Sequence, residues 1–313
     1  MVNLSTQNWP KAPLNILSEA SGSLGDLGTL VPLLAALTAN GQISLPASLL
    51  FGGIFNIATG LFYDLPMCVQ PMKSIAAIAL LSNMSDKQIS GAGLSVGIAV
   101  GLLALFGGID WLGKNVPIVL VRGIQLGTGL ILLQKACALI ISSHRWSFAG
   151  YDWMDNYLVA ILAFLLILLL FNSSNNLSAI AIIALALAFA RIRVSYTHAD
   201  LAAIGTSFVP PRLLPWADIW IGFSAAGLGQ IPLTVLNSVL AVSVLAKDLY
   251  PERTAPSSKS VALSVACMNI VCIWFGSVPY CHGVSIYNTV WWPCSTTQIW
   301  CKIGTLNGHP RHA

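Results

Sequence analysis

Apolar runs separated by short polar intervals fill most of this chain. The first run, Leu24–Ala39, carries Gly25-Asp26-Leu27-Gly28-Thr29 near its start and Pro32 inside it. Leu45–Tyr63 is the second, rich in Gly and Phe. A proline-broken segment follows, and its apolar continuation predicts a short helix from Pro71 to about Leu81. Ser82–Ser90 reads as a polar loop, Gly91–Ile109 as a glycine-rich apolar helix and Asp110–Asn115 as a short loop. Val116–Ile141 is long and holds Arg122 and Gln125. Ser142–Asn156 is polar with several aromatic residues, a composition found at membrane interfaces. Tyr157–Phe171 and Leu177–Ala190 are plain apolar spans, and Arg191–Pro215 is the longest polar stretch between spans. Trp216–Ala246 and Ser260–Phe275 are apolar again, joined by the charged loop Lys247–Lys259. A transmembrane helix needs about 20 apolar residues, so the pattern predicts about eight to ten spans with short loops.

The broken segment is the most informative. It reads Asp64-Leu65-Pro66-Met67-Cys68-Val69-Gln70-Pro71-Met72-Lys73-Ser74-Ile75-Ala76-Ala77. Two prolines interrupt the backbone, an amide and a cation stand beside the break, and a helix then begins. A helix that starts inside a membrane exposes N–H groups and the positive end of its dipole. Hydrocarbon tolerates such an end only where it lines a protein cavity, and transporters use it to hold anionic substrates.

Composition agrees. Of 313 residues, 56% are hydrophobic and 8% charged, where soluble domains carry about a quarter charged. The net charge of +4 is scattered, with no basic stripe for nucleic acid. Met1–Ser23 is polar and has neither the charged start nor the apolar core of a signal peptide. Lys and Arg fall almost evenly on alternate loops, so the positive-inside rule gives no orientation. Seven cysteines are present; Cys68, Cys137, Cys267 and Cys272, in apolar runs, are expected to be buried free thiols. No nucleophile–base pair or phosphate loop stands in a usable context, so an enzyme is not expected.

Two places in the chain repeat each other. Gly25-Asp26-Leu27-Gly28-Thr29-Leu30-Val31-Pro32-Leu33 parallels Gly227-Leu228-Gly229-Gln230-Ile231-Pro232-Leu233-Thr234. About one span later, Leu65-Pro66-Met67-Cys68-Val69-Gln70 parallels Val278-Pro279-Tyr280-Cys281-His282-Gly283. Matching Gly/Pro interruptions in two halves mark a transporter's binding site.

Gly25–Thr29, Pro66–Ala77, Arg122-Gly123-Ile124-Gln125-Leu126-Gly127 and Pro279–Gly283 resemble the plant-type molybdate transporter family, a distant relative of the sulfate/anion permeases, over about Leu17–Gly283. The resemblance implies molybdate transport and a fold of two inverted repeats. It also implies a substrate held between two facing half-helices.

The polar residues in the spans carry weighed roles. Lys73 reads as a cation beside a doubly charged oxyanion, or as a helix-start lysine that snorkels or pairs with Asp64. Gln70 reads as an amide donor or a helix cap. Pro71, Met72 and Ser74 complete the helix start. Arg122 is a fork for oxyanion oxygens or a counter-ion for Asp26. Asp26 would hold such a cation in place or carry a coupled proton. Thr29, Gln125 and Gln230 are lining candidates, with packing as the plain reading. Cys281, His282 and Gly283 would be the remnant of a second half-site.

After Gly283 the pattern fails. Val284–Ala313 has no helical or strand period, and Cys294, Cys301, His309 and His312 match no common zinc spacing. Codons for Trp291–Ile303 read one nucleotide out of register can spell Gly-Gly-Leu-Ala-Ala-Gln-His-Lys-Phe-Gly-Ala-Arg, of the family's type. The tail is therefore expected to be aberrant, through a frameshift or truncation.

The expected architecture is an all-α polytopic membrane protein, an inverted-repeat transporter with discontinuous helices and an incomplete second repeat. Its parts are a polar segment 1–23, a first repeat 24–190, a loop 191–215, the start of a second repeat 216–283 and the tail 284–313. The expected function is alternating-access transport of molybdate, with proton coupling an open question. Sulfate is the alternative substrate, and an inactive truncated product that at most associates with full-length copies is the alternative of another class. The expected partners are the oxyanion, the lipid bilayer of an unspecified membrane and further copies of the chain, with no nucleic acid, metal or cofactor.

Overall fold

The computed structural model describes residues 24, 27–65, 67–142, 157–171, 178–197, 210–249 and 254–283. The helices are α1 (Leu27–Ala39), α2 (Leu45–Tyr63), α3 (Lys73–Ser82), α4 (Asp86–Leu105), α5 (Gly108–Asn115), α6 (Ile118–Ser142), α7 (Tyr157–Phe171) and α8 (Ser178–Thr197). A long helix then runs as α9 (Trp216–Gly222), a π turn (Phe223–Gly227), α10 (Leu228–Leu233), a second π turn (Thr234–Leu240) and α11 (Ala241–Leu249). The last helix is α12 (Ser258–Cys272), with a 3-10 turn over Ile273–Phe275. Two short strands, β1 (Cys68–Pro71) and β2 (Tyr280–Gly283), form an antiparallel ladder. Among the described residues, four helical stretches are long and apolar enough to cross a membrane: Leu45–Tyr63, Asp86–Leu105, Trp216–Val244 and Ser258–Phe275.

Several boundaries differ from those the pattern predicts. The polar stretch Ser82–Ser90 is mostly helix, because Ser85 accepts the Gln88 N–H at 3.2 Å and Gln88 reaches back to the Ser85 N–H at 3.1 Å. That reciprocal cap starts α4 at Asp86. Asp110–Asn115, expected as a loop, lies within helix α5. Helix α8 continues to Thr197, seven residues past Ala190. The expected half-helix start at Pro71 is also corrected: Pro71 belongs to β1, and α3 begins at Lys73 after Met72 as N-cap. Cys137 and Cys267 are exposed, whereas Cys272 is buried and Cys68 half-buried. In a membrane protein an apolar run faces lipid as readily as the interior.

The core joins the two halves of the chain. Helix α4 packs on both α9 and α12. Small residues permit this approach: a Cβ on Gly91 would stand 2.6 Å from the Ile219 Cα, and one on Gly222 would collide with the Gln88 carbonyl and sit 2.7 Å from the Ala92 N. Gly97 and Gly101 meet Asn269 and Ala266 in the same way. At one end, the half-buried pair Arg212–Asp86 bridges the segment before α9 to the start of α4.

Candidate functional site

The backbone break after α2 solves the problem that prolines create inside hydrocarbon. Residues 68–71 leave the helical ladder, and their backbone groups must find partners elsewhere. They find them in β2, with Cys68 opposite Gly283, Val69 opposite His282, Gln70 opposite Cys281 and Pro71 opposite Tyr280. The Met72 N–H extends the ladder by donating to the Pro279 carbonyl at 2.8 Å. The two proline-marked motifs of the repeat therefore lie side by side.

An asparagine clasps each strand. Asn56 on α2 accepts the Val69 N–H at 2.9 Å and donates to the Val69 carbonyl at 3.3 Å. Asn269 on α12 accepts the Tyr280 N–H at 2.9 Å and donates to the Tyr280 carbonyl at 2.6 Å. Both stand on the second span of their half. The sequence reading missed them; the signal was a single amide inside each of two corresponding apolar spans. The loop before β2 is fastened to α2 as well. The Val278 N–H donates to Ser48 Oγ at 3.0 Å, the Tyr280 hydroxyl donates to the Ser48 carbonyl, and the Ser44 N–H donates to the Gly276 carbonyl at 2.8 Å.

Helix α3 starts at this ladder. Its N-cap, Met72, provides no side-chain cap. Lys73 is the first helical residue and is exposed. The Ser74 N–H donates to Gln230 Oε1 at 3.1 Å, and Gln230 Nε2 donates to Thr234 Oγ1 at 3.0 Å. Gln230 is 3% exposed and Ser74 is also buried. An amide from the second half's Gly-Leu-Gly-Gln motif thus occupies an N–H at the first half's helix start. Gln70 is buried on β1 with its Nε2 3.4 Å from Cys68 Sγ. Gly283 packs so closely there that a Cβ would lie 2.6 Å from Cys68 Sγ and 2.7 Å from Gln70 Cδ.

The remaining predicted site residues are placed as follows. Helix α6 packs against α3 and α10; on it Gln125 is half-buried and Arg122 is exposed. Asp64 is the left-handed C-cap of α2, with φ of 50°. Thr29 lies on α1, and its side chain is outside the described residues, as are Asp26 and the whole tail 284–313 with its expected frameshift. Cys281 and His282 are buried on β2. Among the described residues no group of three or more His, Cys, Asp or Glu could hold a metal ion.

Paired strands inside a helical membrane protein, with a helix starting beside them and matching motifs from two halves, define a multi-pass integral membrane protein of the discontinuous-helix type. The family described as "Molybdate transporter of MFS superfamily" matches residues 18–132 and 222–290, more than half of the chain. The chain belongs to this molybdate transporter family. It is 35% identical over 311 residues to Molybdate transporter 2 of Arabidopsis thaliana, covering 87% of this chain and 66% of that protein. It is 33% identical over 304 residues to Molybdate transporter 1 of the same plant, covering 85% and 66%. With Molybdate transporter 1 of Chlamydomonas reinhardtii the identity is 28% over 373 residues, covering 85% and 71%. The chain thus spans slightly less than two thirds of the two plant relatives' length.

Proposed function

We propose that this chain carries molybdate across a membrane by alternating access, binding the oxyanion at the start of α3. The observation behind this reading is the Ser74–Gln230 hydrogen bond. A neutral amide oxygen there holds the place that an oxyanion oxygen would take at a helix N-terminus. When the anion enters, Gln230 can turn its NH₂ toward it, because the Thr234 hydroxyl serves equally as acceptor or donor. Lys73 at the first helical position adds a full charge to the partial charge of the dipole. Gln70, Met72 and Ser74 complete this end of the site, and Pro71, which has no N–H, shapes the approach. Gln125, Arg122 and Thr29 are lining residues in this reading, with Asp26 and Asp64 as coupling or structural charges. The exposed apolar faces of α2 and α7 lie against lipid.

Molybdate and sulfate are both tetrahedral dianions. The relatives are named for molybdate, which favours it over sulfate. Molybdate uptake by the 313-residue chain in proteoliposomes, read by mass spectrometry of the vesicle contents, tests the proposal. Saturable uptake that excess sulfate does not suppress is expected. Uptake no greater than in protein-free vesicles overturns it and leaves the reading of an inactive product.

A further inference from the structure

Helix α5 joins α4 to α6 and has two unlike faces. Gly107, in the left-handed region with φ of 74°, turns the chain off the end of α4. On the inner face Ile109 is buried, and Gly113 lies so close to Leu240 that a Cβ would stand 2.5 Å from its Cδ1. On the outer face Asp110, Trp111, Lys114 and Asn115 are exposed. Trp111 is 63% exposed, and Phe106, just before the turn, is 83% exposed. Asp110 in the first turn and Lys114 in the last complement the helix dipole. Asn115 Nδ2 donates to the Trp111 carbonyl at 2.8 Å.

Two rulers set the depth of this helix. Helix α4 has 20 residues. At 1.5 Å per residue it spans about 30 Å, the thickness of the hydrocarbon core. Its last residue, Leu105, therefore reaches one boundary of that core, and α5 starts just beyond it. The second ruler is Leu240, the residue under Gly113, which lies four positions before the end of the span Trp216–Val244. Four helical residues rise about 6 Å. Both measures put α5 where acyl chains meet headgroups, the depth at which amphipathic helices lie.

We propose that the outer face of α5 is seated in the phospholipid headgroup layer, with Trp111 and Phe106 as its anchors. Ile98, Leu102 and Leu105 are exposed along one face of α4 and lead to Phe106, so the lipid-facing surface runs without a break into this patch. An indole has an apolar body and one N–H, which suits a place with hydrocarbon on one side and water on the other. Lys114 is long enough to keep its stem among acyl chains and its ammonium at the phosphates. Asp110 and Lys114 cancel in charge, so the seat does not require anionic lipid; a helix that selects such lipid carries a basic cluster. Helix α5 packs on α4 from the first half and on the π turn Thr234–Leu240 from the second, so the anchor fixes the depth of both halves at this surface. The seat depends on membrane insertion and not on what the chain transports.

The test uses the whole chain, labelled with fluorotryptophan, in nanodiscs of phosphatidylcholine and read by fluorine NMR. The signal missing from Trp111→Phe belongs to Trp111. It should lose most of its intensity when a nitroxide is carried on the lipid headgroup, and little when the nitroxide sits at the end of the acyl chain. Adding phosphatidylglycerol should leave this pattern unchanged. Greatest loss with the chain-end nitroxide places Trp111 in the hydrocarbon core and overturns the proposal. Loss to a water-soluble gadolinium chelate alone places it in water and overturns it as well. Protection from all three reagents means that protein covers the face, a second copy or residues 284–313, and this too overturns it. A headgroup effect that appears only with phosphatidylglycerol overturns the charge-neutral seat. If Trp111→Phe fails to insert, Phe106 is read instead from the fluorophenylalanine-labelled chain, assigned by Phe106→Leu, and the same outcomes decide.

Discussion

Asn269 offers the sharpest measure of what holds the central strands. Its side chain is fully buried and makes three hydrogen bonds, to the Val265 carbonyl at 2.8 Å and to both backbone groups of Tyr280. Asn269→Leu fills a similar volume and removes all three. The Val265 carbonyl is part of a helix, but the Tyr280 N–H and C=O would lose partners in a buried setting. An orphaned buried polar group costs about 1–3 kcal/mol, so the pair should cost about 2–6 kcal/mol. Asn56→Leu should cost less, about 1 kcal/mol, because its donor bond to the Val69 carbonyl is longer at 3.3 Å. Unfolding by SDS titration in mixed micelles, followed by tryptophan fluorescence, gives both values. Two outcomes would refute the reasoning: Asn269→Leu within about 0.5 kcal/mol of wild type, since that is the scale of an unremarkable surface change, or Asn56→Leu as the costlier of the two.

Other outcomes follow from the same geometry. Lys73→Ala should abolish molybdate uptake while leaving membrane insertion intact, as read by uptake and membrane fractionation side by side; unchanged uptake would leave Lys73 only a structural role. Gln230→Glu should weaken uptake by at least about tenfold, because a carboxylate bonds the Ser74 N–H more strongly than an amide and repels the oxyanion; a wild-type KM would contradict this. Gly222→Ala should destabilise by about 1–3 kcal/mol through its collision with the Gln88 carbonyl, whereas Gly53→Ala, with nothing within 4 Å, should be neutral or stabilising by up to about 1 kcal/mol in the same SDS titration. The nucleotide sequence across Cys281–Arg311 should spell the Gly-Gly-Leu-Ala-Ala peptide in a shifted frame, and its absence there would remove the frameshift reading.

How far the architecture could be read from the chain depends on whether the signal was local. Helices α2 and α7 run over the very residues their apolar runs predict, because length and hydropathy are properties of one segment. The break at Pro71 was legible for the same reason. Its outcome as a strand was not, since four residues give no period and their partner is β2, at the other end of the described chain. Polar composition hid two helix starts. Ser85-Asp86-Lys87-Gln88 carries a capping box, yet its polarity reads as loop. In Gly108–Asn115, Asp110 and Lys114 stand four apart on a short helix that overall polarity disguised. Of the proposed site, Ser74 was singled out from the broken segment and Gln230 from the repeat, but their contact spans 156 positions and no spacing rule could pair them. The clasping asparagines were overlooked because a lone amide in an apolar helix has no pattern.

The Ser48 knot has a consequence for how the protein is made. Ser48 receives the Val278 N–H and the Tyr280 hydroxyl, residues that lie 230 and 232 positions later. Strand β1 and the N-terminus of α3 therefore enter the bilayer long before the segment that satisfies their backbone groups is synthesised. Chains emerge at roughly 5–20 residues per second, so this first half-site waits for on the order of ten seconds or more with open polar groups at membrane depth. Lipid cannot supply partners. The nascent chain must keep that segment near water, inside the insertion machinery, or capped by its own neighbours such as Asn56 until β2 arrives. Quality control during biogenesis would then sense the closing of one short ladder, the last step by which two halves become one molecule.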